Sequence, residues 1–132
     1  MAVSIEQSPL GIYHMTGNTA IPQYTDWVVN IAYTVNNGVG VDFTTYTAKL
    51  QVKQNYDSPV LLELNTSNGG ITLSNNTVTP TNPNITLTFL KGLTNSMTVY
   101  DGMIYDLELT SASGLITRIM KGQFALDRAV TH

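Results

Sequence analysis

The chain has 132 residues, a formal charge of −3, 11% charged residues and no cysteine. Such a length is enough for one domain with a real core and too short to assume two; the missing cysteines exclude a disulfide frame and thiolate chemistry, and no run of lysine or arginine offers a footprint for nucleic acid. The opening "MAVSIEQSPLG" has neither region of a secretory signal, and no stretch approaches the ~18 apolar residues of a membrane span, so a soluble chain without membrane attachment is expected.

In chain order, residues 6–26 combine Pro9, Gly11, Gly17 and Pro22 with scattered apolar side chains. This reads as an extended N-terminal arm or long loop over 1–26, ahead of a domain over 27–132. Leu10, Ile12, Tyr13, Met15, Ile21 and Tyr24 are too apolar for a fully solvated tail, and a protein interface with a neighbouring subunit is where they are expected to go.

From Trp27 onward the apolar residues alternate with polar ones, the period of half-buried strands. Trp27, Val29, Ile31 and Tyr33 form one apolar face, and the turn "NNGVG" at 36–40 follows. Tyr46, Ala48, Leu50 and Val52 form the next, with Thr47, Lys49, Gln51 and Lys53 on the opposite side. After "NYDSP" at 55–59 come Val60, Leu62 and Leu64, then "SNGG" at 67–70 and Ile71 with Leu73. The polar "NNTVTPTNPN" at 75–84 should project as an exposed loop before Ile85, Leu87 and Phe89. Leu90, Leu93 and Met97 have helical spacing and predict one or two turns of helix capping the sandwich. "YDG" at 100–102 leads to Met103, Tyr105, Leu107 and Leu109; "SASG" at 111–114 leads to the last strand region, where a phase shift marks Gly122 as a bulge or bend. Strands this short and this regularly punctuated predict an all-β fold, an antiparallel β-sandwich with one short helix and the N-terminal arm. The expected core contains Trp27, Ile31, Leu50, Val52, Leu62, Leu87, Tyr105, Leu107 and Phe124.

Catalytic motifs are missing from the sequence. His14 and His132 stand beside no serine or acid in a recognisable arrangement, and no metal-binding or phosphate-binding motif is present. Asp106 and Glu108, two apart on a strand, would lie ~6.5 Å from each other, within the range of glycosidase carboxyl pairs. A glycosidase acid must be partly buried, however, and both fall on the polar side of their strand. They are expected to form a solvated face, meeting a neighbouring subunit or Lys49, Lys53 or Arg118 across the sheet. Tyr33, Tyr46 and Tyr105 read as core, which leaves Tyr13, Tyr24, Tyr56 and Tyr100 for contacts. The N-x-S/T matches at Asn65, Asn75 and Asn84 are expected by chance in a chain so rich in Asn and Thr.

Several stretches fall into a recognisable order: Asp42 to Tyr46, then Ala48-Lys49-Leu50-Gln51-Val52-Lys53, a helical turn with Thr94, "MIYDLEL" from Met103 to Leu109, a turn at Gly114, Arg118 to Gly122, and Phe124 to Leu126. From Trp27 to Thr131 this order resembles a small β-sandwich module of tailed-bacteriophage virion proteins, like the N-terminal domain of siphophage baseplate upper proteins. The resemblance implies a non-enzymatic structural component of tail, baseplate or fibre attachment. Its partners would be other virion proteins and further copies of itself, with no cofactor and no metal, and it would be made in the host cytoplasm and located in the virion. The exposed tyrosines and asparagines support an alternative, a glycan-binding β-sandwich.

Overall fold

The computed structural model describes residues 2–6 as backbone and residues 11–128 in full; Leu10 and His132 lie outside the described residues. Alternation becomes twelve strands among them: β1 (Ala2–Glu6), β2 (Gly11–Ile12), β3 (Ile21–Pro22), β4 (Trp27–Val35), β5 (Val39–Gly40), β6 (Thr47–Lys53), β7 (Val60–Asn65), β8 (Ile71–Leu73), β9 (Ile85–Phe89), β10 (Met103–Thr110), β11 (Ile116–Phe124) and β12 (Leu126–Asp127). The helix α1 is the single turn Lys91–Thr94. A first sheet runs β1-β4-β9-β8, with β5 also on β4; a second runs β2-β11-β10-β6-β7; β12 pairs with β3.

The apolar faces of the two five-stranded sheets meet in one core. Ile31, Ile85 and Leu87 from the first sheet and Leu50, Leu64 and Leu107 from the second have no exposed surface. Each such side chain contributes roughly 1.5–3 kcal/mol relative to exposure. Phe89 and Phe124 join the layers with ring centroids 5.9 Å apart. The all-β sandwich expected from alternation is the fold observed, and eight of the nine expected core residues are buried. Trp27, at the start of β4, is only half-buried and packs on the rim of the core.

The N-terminal segment departs from expectation. All three of its strands join in parallel, β1 to β4, β2 to β11 and β3 to β12, whereas the other pairings are antiparallel. On either side of a 3-10 turn at Gly17–Thr19 the segment follows the last strands: Tyr13 N–H donates to Lys121 O at 3.0 Å, Met15 N–H to Gln123 O at 2.9 Å and Ile21 N–H to Ala125 O at 3.0 Å. Met15 and Ile21 are fully buried in the chain's own core, which corrects their reading as interface residues. The physical reason is that β11 offers an open edge within the same molecule, and docking there incurs none of the translational and rotational cost of joining a neighbour.

Two smaller corrections concern phase. Leu107 pairs with Met120 and Glu108 with Arg118, so the bulge is at Ile119, not Gly122. It buries Ile119 and Met120 together while keeping Arg118 and Lys121 on the outer face. Gly122 is needed for another reason: a Cβ there would stand 2.0 Å from the carbonyl oxygen of Tyr13. In α1 the inward residue is Thr94 while Leu93 is exposed, because one turn of helix presents only one position to the core; of its flanking residues, Leu90 is exposed and Met97 is buried.

The 75–84 loop exposes its tip, where Val78 is 94% accessible, but its two ends are anchored. Asn76 and Asn84 are buried: Asn84 Oδ1 accepts Tyr33 N–H at 2.9 Å, Asn84 Nδ2 donates to Tyr33 O at 3.0 Å, and Asn76 Oδ1 accepts Val41 N–H at 2.7 Å. These bonds satisfy backbone groups where the pairing of β4 gives out.

Candidate functional site

The outer face of the second sheet is built by strand parity. Positions that alternate with the buried residues of β6, β10 and β11 point away from the core, and pairing register sets them in rows. One row reads Ile12, Lys121, Asp106, Gln51, Glu63 across all five strands. The row above it reads Arg118, Glu108, Lys49, Asn65, and the row below reads Gln123, Ile104, Lys53. Four of the chain's six lysines and arginines, Lys49, Lys53, Arg118 and Lys121, therefore line one groove.

The acids of this face are engaged. Lys49 Nζ lies 3.4 Å from Glu108 Oε1, and Arg118 Nη1 lies 3.8 Å from Asp106 Oδ2. Two of the three cross-sheet partners expected from sequence are thus present, and both carboxyl side chains keep about a third or more of their surface in solvent. At the edge, the Gln51 amide donates to Glu63 at 2.8 Å and the Asn65 amide at 2.7 Å. These two bonds, Gln51 first, hold the Glu63 carboxyl below its ordinary pKa.

The wall of the groove comes from the N-terminal segment. Tyr105 donates its hydroxyl proton to Tyr13 O, and burial pushes its phenol well above the ordinary value. His14 Nδ1 accepts Gln123 N–H at 3.0 Å, an arrangement that places the ring proton of a neutral imidazole on Nε2. Tyr56, 75% exposed, stands at the opposite rim. The space enclosed is about 500 Å³, inside the range of small-molecule sites, roughly 300–1,000 Å³.

Among the described residues expected at an interface, only Ile12 is largely exposed, and it lines this groove. Tyr13 is half-buried against the core, Tyr24 is half-buried with φ of 62°, Met15 and Ile21 are interior, and Leu10 lies outside the described residues. Sequence reasoning missed His14, Lys121 and Gln123 as neighbours of Lys49 and Lys53. The outward parity of Lys49 and Lys53 was readable; the parallel docking that brings in His14 had no local signal. Among the N-x-S/T matches, Asn84 has no exposed surface and cannot present its amide for glycosylation in the folded chain. No protein-family model matches the chain, and no curated protein matches its sequence.

Proposed function

We propose that the chain is a non-enzymatic structural module of a tailed-bacteriophage virion that assembles as several copies with other virion proteins. The observation that carries this reading is convergence. The three stretches most characteristic of the resemblance, 48–53, 103–109 and 118–122, are separated in sequence yet occupy the adjoining strands β6, β10 and β11. Thr94, the threonine of the helical turn, is fully buried, as a structural position would be.

With Met15 and Ile21 internal, contacts between copies fall to projecting apolar residues. Leu115 and Ile116 at the β10–β11 turn are 68% and 61% exposed, and Val78 tips the 75–84 loop. Mass spectrometry of purified particles from the source phage tests the reading, together with light scattering of the recombinant chain. The chain is expected among the particle proteins, and a defined oligomer is expected that Leu115→Ser with Ile116→Ser dissociates. Absence from the particles would overturn the proposal.

One observation favours a second reading, a glycan-binding sandwich: the groove on the second sheet has the volume of a ligand site and an exposed tyrosine at its rim.

A further inference from the structure

We propose that this groove takes an acidic saccharide, with the sugar carboxylate held by Lys53 and Lys121. The inference rests on the glycan-binding reading and adds the chemical class of ligand. Four cations face two carboxylates in the groove, a surplus of two positive charges in a chain whose formal charge is −3. The surplus is localised. Glu108 and Asp106 engage Lys49 and Arg118, while Lys53 and Lys121 form no ion pair among the described residues. Lys121 pairs in register with Asp106 and Lys53 with Ile104, on opposite sides of β10 and two residues apart. From ordinary strand spacing and rise, their Cα atoms are roughly 12 Å apart, so two extended lysine side chains can converge on one carboxylate between them.

The remaining lining suits a sugar ring rather than a bare anion. Tyr56 and Ile12 expose apolar surface at the two rims, 75% and 62% accessible, against which the C–H face of a pyranose can pack. Nε2–H of His14 and the side-chain amide of Gln123 supply donors for hydroxyl groups. Inorganic phosphate would use the lysines and leave both apolar rims uncovered. A nucleic acid or an anionic membrane would bring many negative charges against a surplus of only two positive ones, with Asp106 and Glu108 standing among them.

The test is calorimetry on the full chain with three probes: a tetrasaccharide of alternating glucuronate and N-acetylglucosamine, its carboxyl-reduced counterpart, and inorganic phosphate. The acidic tetrasaccharide should bind about tenfold or more tightly than the reduced one, the scale of a charge-assisted hydrogen bond lost. Lys53→Gln with Lys121→Gln should bring the two to equal affinity, Tyr56→Ala should weaken both, and Lys91→Gln, on α1, should change neither. Equal binding of acidic and reduced sugars to the unaltered chain would overturn the acidic specificity and leave the glycan reading standing. Binding of neither sugar would overturn both. Loss of the acidic preference in Lys91→Gln, or phosphate displacing the sugar at matching affinity, would also overturn the proposal.

Discussion

The two sheets present opposite outer surfaces to solvent. On β4, β8 and β9 of the first sheet the outward residues are Val28, Asn30, Thr34, Thr72, Thr86 and Thr88, none of them charged. Thr86 Oγ1 donates to Asn30 Oδ1 at 3.2 Å. On the second sheet the same alternation delivers Lys49, Lys53, Asp106, Glu108, Arg118 and Lys121. A chain without any basic run therefore carries a concentrated charged face, because residues far apart in sequence share one parity on neighbouring strands. The polarity pattern builds both sheets equally; on the second, the N-terminal segment raises the wall of the groove along β11. The first sheet invests its special chemistry below the surface, in Asn76 and Asn84.

That contrast breaks most severely if the buried asparagines are removed. Asn84→Leu deprives Tyr33 N–H of its partner, leaves Tyr33 O with the longer bond from Asn76 Nδ2 at 3.5 Å and removes the amide link to Asn76, at a cost of about 3–5 kcal/mol. Urea denaturation should show the loss, while lysine side-chain NMR signals of the second sheet in the residual folded protein stay in place. A change below about 1 kcal/mol would mean that the network does not hold the first sheet together.

Next in size is Gly122→Ala, which acts on the wall of the groove. The new Cβ would meet Tyr13 O at 2.0 Å, and that atom is backbone, so residues 11–15 must move off β11. We expect a loss of about 2–3 kcal/mol and faster hydrogen exchange at Tyr13 and Met15, whose amides bond to β11. Unchanged exchange there would show that the segment tolerates the side chain and is not seated as tightly as the geometry requires.

The legibility of the molecule divides along the same line. Strands, turns and the core were readable because alternation encodes them locally: Asn36 and Asn37 adopt left-handed φ beside Gly38 in the turn expected from "NNGVG". The outward parity of Lys49, Lys53, Asp106 and Glu108 was readable for the same reason. What stayed hidden depends on pairings distant in sequence. Met15 and Ile21 looked in need of a partner, and nothing local says that the partner is β11 or β12 of the same chain. Asn76 and Asn84 looked like loop residues because an anchoring asparagine and a solvated one have the same letter. Gly122 drew notice for the right phase shift and the wrong cause, since the bulge at Ile119 produces the shift and a close backbone approach requires the glycine.

A milder perturbation sharpens the charged side alone. Asp106→Asn with Glu108→Gln removes both ion pairs of the groove without touching the core. Exposed pairs contribute about 0.2–1 kcal/mol each and less at high salt, so the midpoint of denaturation should move little and the fold should persist. The freed Lys49 and Arg118 should then raise the affinity of the groove for acidic probes. A large loss of stability would show that the pairs hold β6, β10 and β11 in register, contrary to their exposure.

The smallest expected effect belongs to Glu63 at the free edge of β7, and it gives the comparison a pH axis. The amides of Gln51 and Asn65 stabilise its carboxylate and hold its pKa below the ordinary 4.5, whereas the outward residues of β4, β8 and β9 include no carboxyl group. The sign follows from linkage: a carboxyl whose folded pKa is depressed lends stability that is fully present above its unfolded pKa and is lost as pH falls through the folded value. The group is largely solvated, so the contribution is at most a few tenths of a kcal/mol after screening. Comparing Glu63→Gln with the unaltered chain should thus show a slightly more stable unaltered chain at neutral pH and a difference that vanishes in acid. NMR titration should place the Glu63 carboxyl midpoint below 4.5, with the amide signals of Gln51 and Asn65 following it and those of Thr72 and Thr86 unmoved. A midpoint at or above the ordinary value, or an equal response from the first sheet, would show that the edge of β7 is not held by these two amides.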